Sequence, residues 1–167
     1  MAGKHSPCLF RQYYRRVQSR FDDFRQRPVV SHAEYSVADA GRYIRFDCTV
    51  RAGGSMLLEP SDDLLPLGAG RVERANYRYH ATVKGGPNIV RYGSPDGHQA
   101  PPPTWHYGTV EQDHHKFHHR HCFPVYGVEA EKVQVLDREE TPTLPEFIEE
   151  MLGWYHENRK RVDRLSQ

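Results

Sequence analysis

Between Tyr43 and Arg51 apolar and polar side chains alternate without a break, Ile44, Phe46, Cys48 and Val50 against Arg45, Asp47, Thr49 and Arg51. A period of two predicts a strand with one wet face. Gly53-Gly54 then predicts a hairpin turn into Ser55–Glu59, and the stretch from Pro60 to Gly70 reads as a loop. The same alternation returns between Val72 and Lys84, where Tyr77, Tyr79, Ala81 and Val83 face one way and Arg78, His80, Thr82 and Lys84 the other. Gly85-Gly86-Pro87-Asn88 turns the chain back into Ile89-Val90-Arg91-Tyr92. Gly93 to Pro103 is turn-rich, and weaker strand patterns follow around Trp105–Val110, Phe123–Val128 and Lys132–Leu136.

The periodicity changes at both ends. Phe10, Tyr14, Val17, Phe21 and Phe24 recur at steps of three and four, so a helix is expected from Ser6-Pro7 to Arg27, ended by Pro28. Over residues 143–160, Thr143 and Glu146 have capping-box spacing and Leu144, Phe147, Ile148, Met151, Leu152 and Tyr155 form a buried stripe. The expected architecture is therefore α+β. A mostly antiparallel sheet of five to seven strands occupies residues 33–137, with an N-terminal helix (6–27) and a C-terminal helix (143–160) packed on one face. All 167 residues fit one domain.

Composition narrows the setting. A mean hydropathy of -0.82 and the lack of any apolar run near the ~20 residues of a membrane span point to a soluble, cytoplasmic protein that does not engage a membrane. Cys8, Cys48 and Cys122 are odd in number and have no Cys-x-x-Cys spacing, which speaks against a disulfide framework and a thiolate zinc knuckle. Arginine outnumbers lysine 18 to 5. Arg11, Arg15, Arg16, Arg20 and Arg25 make the first helix basic, which suits RNA or an acidic protein partner.

The chemistry gathers in one segment. Five of the eleven histidines fall between His114 and His121, and His98 and His106 lie just upstream. Such a cluster serves proton transfer, metal ligation or a pH-dependent surface. In an extended chain, His119 and His121 share a face and His118 points away; in a helix, His114/His118 and His115/His119 pair at the spacing of two zinc ligands. Lys116 and Arg120, set among the histidines, place positive charge where a metal cation would sit.

Glu34-Tyr35, then Tyr77-Arg78-Tyr79-His80, then Arg91-Tyr92 after a short turn, then His118-His119-Arg120-His121 run in an order that resembles the TumE-type toxin family of bacterial toxin–antitoxin modules. The likeness covers roughly residues 33–125 and rests on short motifs. It implies a small toxin acting on RNA, with a cognate antitoxin as partner. Gly93-Ser94 depart from it, standing where the family commonly has Asp-Asn.

The residues are compatible with an endoribonuclease that needs no cofactor. Such an enzyme requires a base, an acid and cations for the developing phosphorane charge. His119 and His121 are the expected base and acid, with His98 a substitute for either. Arg91, Arg78, Arg120 and Lys116 are the candidate phosphate ligands, and Tyr79 or Tyr92 the candidate base-stacking ring. Two other expectations stand beside this one. His114, His115, His118 and His119 would serve a metal enzyme or metal sensor holding a divalent transition metal such as zinc. The basic helix would serve a non-catalytic interaction module.

Overall fold

The computed structural model of the protein describes residues 3–95 and 117–167. Two helices, α1 (Phe10–Arg25) and α2 (Leu144–Leu165), lie against a nine-stranded sheet whose pairings are antiparallel. The strands are β1 (Cys8–Leu9), β2 (Val30–Ala40), β3 (Tyr43–Ala52), β4 (Met56–Leu58), β5 (Ser61–Gly68), β6 (Arg71–Val83), β7 (Asn88–Gly93), β8 (His118–Cys122) and β9 (Lys132–Leu136). The main path runs β2-β3-β4-β6-β7-β8-β9, with β5 also between β3 and β6. The α+β architecture read from the pattern is the one observed. No helix among the described residues is long and apolar enough to cross a membrane.

Three local expectations are corrected. First, α1 starts at Phe10 and not at Ser6-Pro7, because Cys8 and Leu9 pair with Val72 and Arg71 and Phe10 N–H donates to Gly70 O at 2.8 Å. Second, the stretch from Pro60 to Gly70 is mostly strand. Together β4 and β5 form one long element between β3 and β6, interrupted at Glu59-Pro60, where proline can sit because the ladder is already broken. Third, Phe123–Val128 is not a strand: Pro124–Tyr126 is a single 3-10 turn closed by Gly127 at φ 117. An element the pattern did not announce is β2, an eleven-residue edge strand with only Ala33 buried and so almost no alternation.

The core lies between the helices and one face of the sheet. Phe21 and Phe24 of α1 and Phe147, Ile148 and Met151 of α2 are buried with Phe46, Tyr79 and Ala81 of the strands. The Thr143 hydroxyl accepts from Glu146 N–H, completing the expected capping box. Within this core sits one buried carboxyl, Asp62, which accepts from the Tyr13 hydroxyl and, at 2.6 Å, from Tyr79. Burial raises its pKa, and Arg74 and the two tyrosines only partly offset that. Arg74 donates to Tyr79 Oη, Pro142 O and Thr141 Oγ1, tying this network to the start of α2.

Candidate active site

β8 is held on both sides, and its register fixes the direction of every histidine in it. His119 and His121 lie opposite Gly93 and Arg91 of β7 and opposite Val135 and Val133 of β9. The helix-covered face takes Tyr77, Tyr79, Tyr92, His118 and Arg120; the other face takes Arg78, His80, Arg91, His119 and His121. The sequence expectation that His119 and His121 share a face while His118 points away is met.

The two imidazoles meet edge to face with centroids 5.3 Å apart. Each has its Nδ1 against an acceptor, His119 at 2.8 Å from Phe117 O and His121 at 2.8 Å from Glu131 Oε1. A carbonyl or carboxylate oxygen only accepts, so each Nδ1 carries hydrogen and each neutral ring keeps its lone pair on Nε2. The two acceptors differ in charge. As His121 takes up a proton, the Glu131 carboxylate offsets the charge, whereas the oxygen facing His119 Nδ1 belongs to a neutral carbonyl. His119 and His121 are 3% and 1% exposed.

Cations neighbour the pair on the same face. Arg91 stands across from His121, and Arg78 lies across from Gly93 in the row that leads to His119. His80, across from Arg91, bonds Asn88 Oδ1 at 2.9 Å, and burial holds its imidazole below the ordinary range. Arg78, His80 and Arg91 line a groove of about 440 Å³ that extends to Asp47, Glu59 and Ser61.

Several expected site residues stand on the helix side and do not join this group. Arg120 donates to Tyr92 Oη and Gln134 Oε1 and lies 3.8 Å from Glu150; its buried Nε has no hydrogen-bond partner among the described residues. Tyr92 donates to Glu150 and packs on Phe147, while Tyr79 is fully buried and bonded to Asp62. Neither tyrosine presents a face for a base to stack on. His118 Nδ1 is hydrogen-bonded to the Tyr77 hydroxyl at 3.0 Å, its ring parallel to that of Tyr77. Burial, then Arg74 and Arg138, lowers its pKa.

The helical pairing imagined for a metal site is not formed at its described end, since His118 and His119 are strand neighbours on opposite faces. Among the described residues no group of three or more His, Cys, Asp or Glu is arranged to hold a metal ion. His98, His114, His115 and Lys116 lie outside the described residues.

Two site residues were not anticipated. Glu131 is ten residues from His121 and becomes its neighbour only because the chain turns back into β9. Gly93 matters for what it lacks: a Cβ there would lie 2.8 Å from His119 Nε2. Ser94 is buried, accepting from Tyr77 N–H and donating to Tyr77 O. A Gly-Ser pair is thus built into this site. Comparison with protein-family models, curated proteins and solved structures returns no match to this chain. The resemblance to the TumE-type toxins therefore rests on the motifs alone.

Proposed function

We propose that this chain acts on RNA as a metal-independent ribonuclease, and that it is the toxin of a toxin–antitoxin module with an antitoxin as its partner. The observation that carries the ribonuclease reading is the His119–His121 pair, each ring held through Nδ1, with Arg91 one strand away. The toxin role comes from the resemblance.

In this reading His119 Nε2 takes the proton of the ribose 2′-hydroxyl. The freed oxygen attacks phosphorus, the bond to the 5′-oxygen breaks, and the His121 imidazolium gives its proton to that leaving oxygen. Arg91 and Arg78 offset the charge that builds on the phosphoryl oxygens. One imidazole gains a proton and the other loses one, and the product ends in a cyclic phosphate.

Incubation of the purified protein, freed of any partner, with single-stranded and ribosome-bound RNA in the presence of a chelator tests this. New ends bearing a cyclic phosphate are expected. RNA left intact at every salt concentration overturns the reading.

A further inference from the structure

On the face that carries the histidine pair, one registered row crosses five strands. Asp47 of β3 faces Ser61 of β5, which faces Arg78 of β6, then Gly93 of β7 and His119 of β8. Charge changes sign along it. The half near β8 holds Arg78 and Arg91, whereas the far wall holds Asp47 and Glu59, both exposed and neither bonded through its carboxylate to a described residue. At ~4.8 Å per strand, Arg78 lies about 10 Å from His119 and Asp47 about twice that.

A volume of about 440 Å³ falls within the ~300–1,000 Å³ of small-ligand sites. An all-basic groove would track a phosphate backbone without regard to base. This one cannot carry the backbone across its whole width, because the carboxylates at the far wall repel phosphate. A carboxylate only accepts hydrogen bonds, so what it takes from a nucleotide is a donor; cytosine, adenine and guanine offer exocyclic amino groups, whereas the N3–H of uracil is flanked by two carbonyl oxygens that a carboxylate repels.

We propose that this groove holds the base next to the scissile phosphate and selects one that carries an exocyclic amino group, with Asp47 and Glu59 as the specificity-determining residues. Arg78 and Arg91 hold the phosphate, and the base reaches outward from them across β6 to the acidic wall. Cytosine places an amino donor there. Uracil places a carbonyl oxygen in the same position, which the carboxylates repel. This rests on the ribonuclease reading and adds the identity of the base to it.

The test uses the full chain titrated with cytidine 3′-monophosphate, uridine 3′-monophosphate and inorganic phosphate, alongside cleavage of RNA containing both pyrimidines. The cytidine nucleotide is expected to bind about 5- to 100-fold more tightly than the uridine one, the discrimination of a good carboxylate–amino hydrogen bond. The double variant Asp47→Asn, Glu59→Gln is expected to bring the two nucleotides within about twofold. Equal affinity of the unaltered chain for both nucleotides, or RNA cleaved without preference for cytidine, overturns this proposal and leaves the ribonuclease reading standing. Failure to bind either nucleotide together with intact RNA overturns both.

Discussion

The His119 ring lies over Gly93 so closely that a Cβ on the glycine would stand 2.8 Å from Nε2 and 2.9 Å from Cε1. Real Cβ atoms do not approach that closely, so any other residue at 93 moves the imidazole. The backbone there tolerates a side chain, since Gly93 is not among the positive-φ glycines. Gly93→Ala is therefore expected to displace His119 without unfolding the sheet. Cleavage should fall about 10²-fold, as a ~1 Å misplacement of a catalytic group does, while the melting temperature changes little. Full activity in a well-folded Gly93→Ala protein would show that the His119 ring position is not used.

The pair itself divides the histidines of β8 by role. His119→Ala and His121→Ala should each reduce cleavage by about 10²- to 10⁴-fold, and the unaltered protein should show a bell-shaped pH profile. His118→Ala should leave cleavage near its original rate and instead lower stability by about 1 kcal/mol, because it loses the hydrogen bond with Tyr77. Equal losses from all three, restored by added zinc, would identify a ligand cluster in place of an acid–base pair.

The two faces of the sheet also separate the arginines. Arg91→Ala and Arg78→Ala should weaken RNA binding and reduce the steepness of its salt dependence by up to about one log-log unit for each phosphate the guanidinium no longer neutralises. Arg120→Ala should not, since Arg120 faces Tyr92 and Glu150 under α2. Removing it leaves Glu150, whose pKa burial already raises, with one fewer counter-charge. Thermal unfolding, compared with RNA affinity across the three variants, separates the two effects.

Strand alternation in Tyr43–Arg51 and Val72–Lys84 revealed the buried face of the sheet, and the same parity placed His119 with His121 opposite His118, because side-chain direction in a strand depends only on odd or even position. What the pattern did not show came from pairing over distance. β5 was hidden by Asp62, Asp63, Pro60 and Pro66, polar or helix- and strand-breaking residues that become strand only between β3 and β6. Glu131 reached His121 through a chain reversal, and Arg120, Tyr79 and Tyr92, chemically suited to bind RNA, are turned toward the helices by the same parity rule. A residue type suggests a role, but the face it occupies decides whether it can perform it.

The basic helix also divides in two. Arg20 and Arg27 both reach Glu149 of α2, Arg27 with bonds of 2.6 Å to each carboxylate oxygen, and Arg25 pairs with Asp22. Arg11 and Arg15 remain exposed and outside the ion pairs of the described residues. Arg27→Ala is therefore expected to destabilise the protein by about 1 kcal/mol, the Glu149 carboxylate being roughly one-third exposed. Charge removal at Arg11 and Arg15 should leave stability unchanged and weaken only binding to an anionic partner. Equal melting temperatures for Arg27→Ala and Arg15→Ala would contradict this division.

Stability should fall as the pH drops below neutrality, and His5 is the group to follow. It is 5% exposed, its Nε2 bonds Thr141 O at 3.0 Å, and burial, then Arg74, lowers its pKa from 6.5 to about 4. A lowered pKa means the unfolded chain takes up the proton first as pH falls. The stabilisation is whole above pH ~6.5 and is lost progressively down to about 4, a total of about 2–3 kcal/mol. His80 and His118 are lowered too and add to the same slope. The His5 share is the difference between the unaltered protein and His5→Gln, measured by denaturant unfolding between pH 7 and 4.5. The variant should start less stable at pH 7 and converge on the unaltered protein as the pH drops; two parallel curves would mean that His5 is not held neutral against Arg74.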